Sequence, residues 1–153
     1  RIRKGMELLQ KVAHDQLKKK GLKPNHEYLP QLFRVIQELK QQGAQLIVGT
    51  DKGTPFVLAG FSIHHEMKLL HAAGLTPFEI MQAATINPAQ CLHKENEIGT
   101  IEIGKRADLL LLSQNPFDNI DTIKNHCGVI SGGVWLRREK CNDILKDLQD
   151  KNK

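Results

Sequence analysis

Aromatic side chains are scarce in this 153-residue sequence, with one Trp, one Tyr and five Phe making up 5% of it. Nucleic-acid surfaces usually interleave rings with positive charge, and this composition gives them little material. Cysteine is equally sparse: Cys91, Cys127 and Cys141 are odd in number and show no CxxC spacing. That excludes a disulfide framework and a zinc knuckle, and free thiols point to a reducing compartment, the cytoplasm. The longest purely aliphatic run is Leu109 to Leu112, far below the roughly 18 residues that a membrane span needs. No HxH, no HExxH, no internal repeat and no low-complexity tract occurs. No signal-peptide pattern opens the sequence, and because it begins at Arg1 rather than Met, further sequence is expected upstream.

What is present is globular in kind: 40% apolar and 25% charged residues, enough for one core of ordinary size and too little for two comfortable domains. The 22 Lys and Arg exceed the 17 Asp and Glu by a net charge of +5, and residues 1–20 account for the whole excess. One short basic run is a solvated helix end rather than a phosphate-binding face, so neither nucleic acid nor a membrane is expected as a partner.

Met6, Leu9, Ala13 and Leu17 form a narrow apolar stripe that predicts a helix over residues 4–20. Leu29, Leu32, Val35, Ile36 and Leu39 predict a second helix from Tyr28 to Gln42, stopped by Gly43. Gln45-Leu46-Ile47-Val48 then reads as a short buried strand leading into Gly49-Thr50-Asp51, one αβ step of a parallel α/β sheet. A Gly/Pro loop from Asp51 to Gly60 precedes three close helices: about Ser62 to Ala73 with Ser62 as cap, Thr76-Pro77 to Ala84, and a shorter one opened by Asn87-Pro88. From Glu97 the pattern changes to strands at Ile98, Thr100 to Ile103, Asp108 to Leu112 and Val129 to Leu136, the last broken into a hairpin by Gly132-Gly133. A helix from Glu139 to Asp150 ends the pattern.

Gly99 to Lys105 fits the GxxxxGK spacing of a phosphate loop, but Arg106 stands where a hydroxyl is needed and the following residues continue as a strand. His64 and His71 share a helix face yet lie about 10 Å apart along it, too far to chelate one ion. His64 still matters, because it opens the helix after the Asp51 loop and can lean over the same rim. Asp51 ends an apolar strand, where open sheets and barrels place reactive groups; an Asp that only caps local amides reads equally well from its position alone.

Gly49-Thr50-Asp51-Lys52-Gly53-Thr54-Pro55, Gly60 to Leu70 with His64-His65-Glu66, Ala73-Gly74-Leu75-Thr76-Pro77, Ala83 to Ala89, Gly99 to Leu109, Asn115-Pro116 and Ser131-Gly132-Gly133 together resemble the C-terminal part of the amidohydrolase superfamily, in its imidazolonepropionase-like and Xaa-Pro dipeptidase-like branch. The resemblance implies an α/β fold: the C-terminal portion of a (β/α)8 TIM-like barrel over residues 1–95, strands of a small β-sandwich over 96–138, and an end helix over 139–153. It implies hydrolysis of a C–N bond in a small amide, cyclic amide or dipeptide, with a divalent metal, zinc, in the complete enzyme. Asp51 is implied to contact that metal and to act as the catalytic acid and base, with His64 and Thr54 as substrate contacts. Lys52 departs from the small residue usual at its position. The HxH pair and the other ligands of such enzymes would all lie upstream of Arg1, so this segment alone is expected to bind metal weakly and to be inactive. Its partners would be a small-molecule amide and the upstream part of the same barrel, and unpaired apolar faces favour a homo-oligomer. The alternative is a non-catalytic binding or scaffolding module that keeps the fold, and an HxH on an upstream strand would decide against it.

Overall fold

The computed structural model describes residues 29–51 and 57–150. Residues 4–20 and Thr54 lie outside them. Helix α1 spans Leu29–Gln41, α2 Ser62–Ala72, α3 Pro77–Ala84 and α4 Ile86–Cys91; strand β1 (Leu109–Leu112), a 3-10 helix (Ile120–Asn125), β2 (His126–Ser131), β3 (Val134–Arg137) and α5 (Arg138–Asp150) follow. The strands form one antiparallel sheet in the order β1-β2-β3, with Leu109 opposite Ile130 and Val129 opposite Leu136. Gly128 is the one residue that fits under Trp135, since a Cβ there would lie 2.7 Å from the Leu136 carbonyl oxygen and closer still to the indole. No described helix is long and apolar enough to cross a membrane.

The helices meet the sheet through a core of Met67, Leu75, Ile80, Ile120 and Ile123, with Leu46, Val48, Ile63, Met81 and Leu112 packed against it. The start of α3 follows directly from its sequence. The Glu79 N–H donates to Oγ1 of Thr76 at 3.3 Å, the Thr76 N–H donates to Oε2 of Glu79 at 2.7 Å, and Pro77 takes the first helical position. This reciprocal box satisfies two N–H groups that a helix start leaves unpaired. Lys40 reaches across from α1 and donates to the same Glu79 oxygen at 2.9 Å, so Lys40 first and the Thr76 N–H second hold the Glu79 carboxyl below its usual titration range.

Four expectations need correction. Gln45 to Val48 is extended but is no strand, because no described strand lies beside it; the Val48 N–H donates instead to the carbonyl of Ala83 in α3 at 2.9 Å. No parallel αβ step is therefore formed among the described residues. Ile98 and Thr100 to Ile103 form bends, irregular backbone and a turn rather than strands, since Gly99 and Gly104 adopt φ of 99° and 93° and Lys105 ties its ammonium to Thr100 and Glu102. Ile101 and Ile103 consequently face solvent. Ser62 does not cap α2: Phe61 holds the cap position, while Oγ of Ser62 accepts from the Leu58 N–H at 2.9 Å in the preceding turn. Asn87 is likewise no cap, and its side chain reaches elsewhere.

Box and core should differ in worth. Thr76→Ala removes one capping bond and should cost about 1 kcal/mol. Ile80→Ala, at a fully buried position, should cost about 2–5 kcal/mol through lost burial and a residual cavity. Urea unfolding of the two variants checks the order, and equal losses would mean that the Ile80 site collapses on truncation.

Candidate active site

The segment from Gln45 to Asp51 alternates: Leu46 and Val48 turn toward the core and Ile47 toward solvent. Without a strand neighbour its polar groups find the helical layer. Nε2 of Gln45 donates to Oε1 of Gln90 at 3.1 Å, Nδ2 of Asn87 donates to the Leu46 carbonyl at 2.8 Å, and the Gly49 N–H donates to Oε1 of Glu66 at 2.9 Å. Two residues beyond the last anchor stands Asp51, exposed, with φ of 52°. Left-handed backbone costs an L-residue roughly 1–2 kcal/mol, and Asp and Asn are the non-glycine residues that bear it best. Such strain persists where surrounding bonds hold it.

His64, half-buried near the start of α2, lines a cavity of about 580 Å³ between α2, α3 and β1, with Ile63, Met67, Met81, Leu109 and Leu112 among its apolar walls and Arg106 and Asp108 among its polar ones. Asp51 does not line this cavity. Asp51 and His64 are thus not members of one cavity wall; Glu66, two residues after His64, ties α2 to the backbone two residues before Asp51. Around His64 the charge is mostly positive. Lys68, one turn along α2, and Lys124 both pair with Asp121, at 3.1 and 2.8 Å. Burial, followed by the positive charge of Lys124 and of His126, pushes the His64 imidazole below its ordinary value, with Asp121 opposing.

Among the described residues no three His, Cys, Asp or Glu side chains come together to hold a metal ion. Asp51 has the donor chemistry of one ligand, and the described residues do not complete a set. His71 is committed elsewhere, its Nδ1 lying 2.9 Å from the Leu75 carbonyl oxygen. Arg106 binds Asp108, whose other oxygen accepts from the Gly132 N–H at 2.7 Å, so Asp108, after the Gly99 to Lys105 loop, anchors the β2–β3 hairpin. Glu66 and Asn87 escaped the sequence reading as site residues. The signal for Glu66 was its place three residues after Ile63 and beside Met67, a carboxyl group on the apolar stripe of α2.

His64 should titrate below roughly 6.5, and Lys124→Gln should raise its midpoint. A base held neutral by the fold adds stability above its unfolded midpoint, and that stability declines as pH falls toward the folded one. Imidazole carbon-proton NMR spectra across pH 4.5–8 would show it; a midpoint indifferent to Lys124→Gln would remove the Lys124 contribution and leave burial and His126 as the causes.

Comparison with known proteins agrees with this geometry at the level of family. Residues 7–136 match the model of the amidohydrolase family. An imidazolonepropionase of Thermoanaerobacter pseudethanolicus is 29% identical over 153 residues, 97% of this chain and 32% of that protein. A 5-methylthioadenosine/S-adenosylhomocysteine deaminase of Caldanaerobacter subterraneus is 32% identical over 92 residues, 54% of this chain and 21% of its own length. A crystal structure of a Xaa-Pro dipeptidase with methionine in its active site superposes with a TM-score of 0.62 at 28% identity, over 71% of this chain and 26% of that one. The chain spans about a third or less of the length of these relatives. With its family model matched across most of its length, the chain belongs to the amidohydrolase family.

Proposed function

We propose that the chain forms part of a metal-dependent hydrolase that cleaves a C–N bond in a small amide, cyclic amide or dipeptide, with Asp51 as its proton-transfer group. The observation that carries this reading is the placement of Asp51: a carboxyl group held in left-handed backbone at the end of an apolar segment pinned by three helices. The names of the relatives support the reaction class, since they include an imidazolonepropionase, a deaminase and a dipeptidase. In our reading residues 1–95 belong to the barrel, 96–138 to a small sandwich and 139–153 to an end helix. The remainder of the barrel is then the main partner of this segment.

Amidohydrolases generally use divalent metals, and Asp51 would serve as one contact to such an ion, zinc in our reading. When bound, a divalent ion supplies Lewis acidity, which lowers the pKa of water to about 7. The work of this chain is proton management. As water adds to the carbonyl carbon, the Asp51 carboxylate accepts its proton; as the C–N bond breaks, Asp51 returns that proton to the leaving nitrogen and regains its charge. His64 and Thr54 complete the reading as substrate contacts, His64 through a largely neutral imidazole that can accept or donate one bond.

Asp51→Asn keeps the size of the side chain and its tolerance of left-handed backbone, so it isolates the proton. In the protein as encoded, assayed with zinc on a panel of Xaa-Pro dipeptides, imidazolone propionate and 5-methylthioadenosine, kcat should fall about 10²–10⁴-fold while Tm hardly moves. A rate within a few fold of the parent would leave Asp51 a capping residue, and no turnover of any panel member by the parent would overturn the reaction class. The 153-residue segment by itself should be inactive on the same panel, because a catalytic zinc usually needs about three protein ligands; turnover that tracks added zinc would refute that.

A further inference from the structure

We propose that Glu66 is a positioning residue for Asp51, fixing from α2 the backbone two residues before that aspartate. The inference rests on the reading of Asp51 as the proton-transfer group. Its carrier is a 2.9 Å bond between groups 17 residues apart, the Gly49 N–H donating to Oε1 of Glu66. Two other anchors of the segment come from α3 and α4 and act at Leu46 and Val48. Glu66 ties the segment to α2 and does so nearest to Asp51 of these anchors.

The setting of Glu66 argues against a packing role. It stands on the stripe of Ile63, Met67 and Leu70 that faces the core, where an apolar side chain would bury more favourably. Its second oxygen, Oε2, is buried and has no hydrogen-bond partner among the described residues. A carboxyl group that accepts one long-range backbone bond and leaves its other oxygen unsatisfied fits the task of holding that backbone. Leverage follows from chain geometry: Gly49 lies two residues, about 7 Å of extended chain, before Asp51. A backbone rotation at Gly49 therefore displaces the Asp51 carboxyl by ångströms, and a misplacement of about 1 Å can cost on the order of 10²-fold in rate.

The test uses the protein as encoded, with the panel member it turns over fastest. Glu66→Ala should lower kcat roughly 10–100-fold with KM within about threefold. Glu66→Gln, which keeps a carbonyl oxygen for the Gly49 N–H, should recover most of that loss. The double variant Asp51→Asn with Glu66→Ala should be no slower than Asp51→Asn, because position no longer matters once the basic group is gone. Amide hydrogen exchange supplies a readout apart from activity: the Gly49 N–H should stay protected in the parent and in Glu66→Gln and lose protection in Glu66→Ala. Fully additive rate losses, a Glu66→Gln variant as slow as Glu66→Ala, or unchanged protection at Gly49 would overturn the positioning role. A near-parental rate for Asp51→Asn alone would instead overturn the reading of Asp51 on which it rests.

Discussion

Backbone N–H and C=O groups need partners wherever they leave water, and the stretch from Leu46 to Gly49 has no described strand to supply them. The helical layer supplies them instead. Asn87 takes the Leu46 carbonyl, the Ala83 carbonyl takes the Val48 N–H, and Glu66 takes the Gly49 N–H. Each partner comes from a different helix, so the order of α2, α3 and α4 along the chain becomes a three-point mount for the residues that lead to Asp51. The mount also holds the chain that leads into the left-handed backbone of Asp51. A conformation that costs an L-residue free energy is kept only if the chain before it cannot relax.

The helices that form the mount hold one another by two kinds of force. Apolar burial is the larger: Met67 of α2, Ile80 of α3 and Ile123 of the 3-10 helix share one cluster, and Leu46 and Val48 lie against it. Polar links at the rim are smaller and more exposed. The Lys68 and Asp121 side chains are each nearly half exposed, as are Lys124 and Asp121, and such pairs contribute at most about 1 kcal/mol. Their effect is directional. They join the 3-10 helix to α2 beside His64, where burial first and then Lys124 and His126 push the imidazole below its ordinary value.

Local chemistry was legible in the sequence where one short stretch decides it. Thr76, Pro77 and Glu79 specify the start of α3 from within four residues, and Gly132-Gly133 specify the turn between β2 and β3. The strand expected at Gln45 was not legible in the same way, because a strand exists through its neighbour and the neighbour is no property of those four residues. Thr100 to Ile103 failed for a related reason: alternation of Ile and Glu promised a ladder, but the positive φ of Gly99 and Gly104 and the Lys105 ammonium close the stretch into bends and a turn first. At Gly99 the constraint is double, since a Cβ there would lie 2.7 Å from that of Ala89. Asp51 stood out as a candidate because a carboxylate after an apolar run is visible in one dimension. Glu66 and Asn87 were missed because their partners are 17 and 41 residues away.

This difference explains why reaction class is more accessible than substrate. The proton-transfer role proposed for Asp51 asks for one carboxyl group in one place, and three long-range bonds hold the segment that leads to it. Selectivity asks for a complete enclosure. The cavity beside His64 is walled by α2, α3 and β1 and carries Arg106 and Asp108, whereas Asp51 stands outside that wall, so that cavity does not join the proposed proton-transfer group to a set of contacts able to tell one amide from another. Relatives named for a dipeptide and for a nucleoside both match this chain, which agrees with a segment whose proposed task is to place a proton rather than to choose a substrate. The choice of substrate then falls to whatever surrounds Asp51 beyond the residues that hold it.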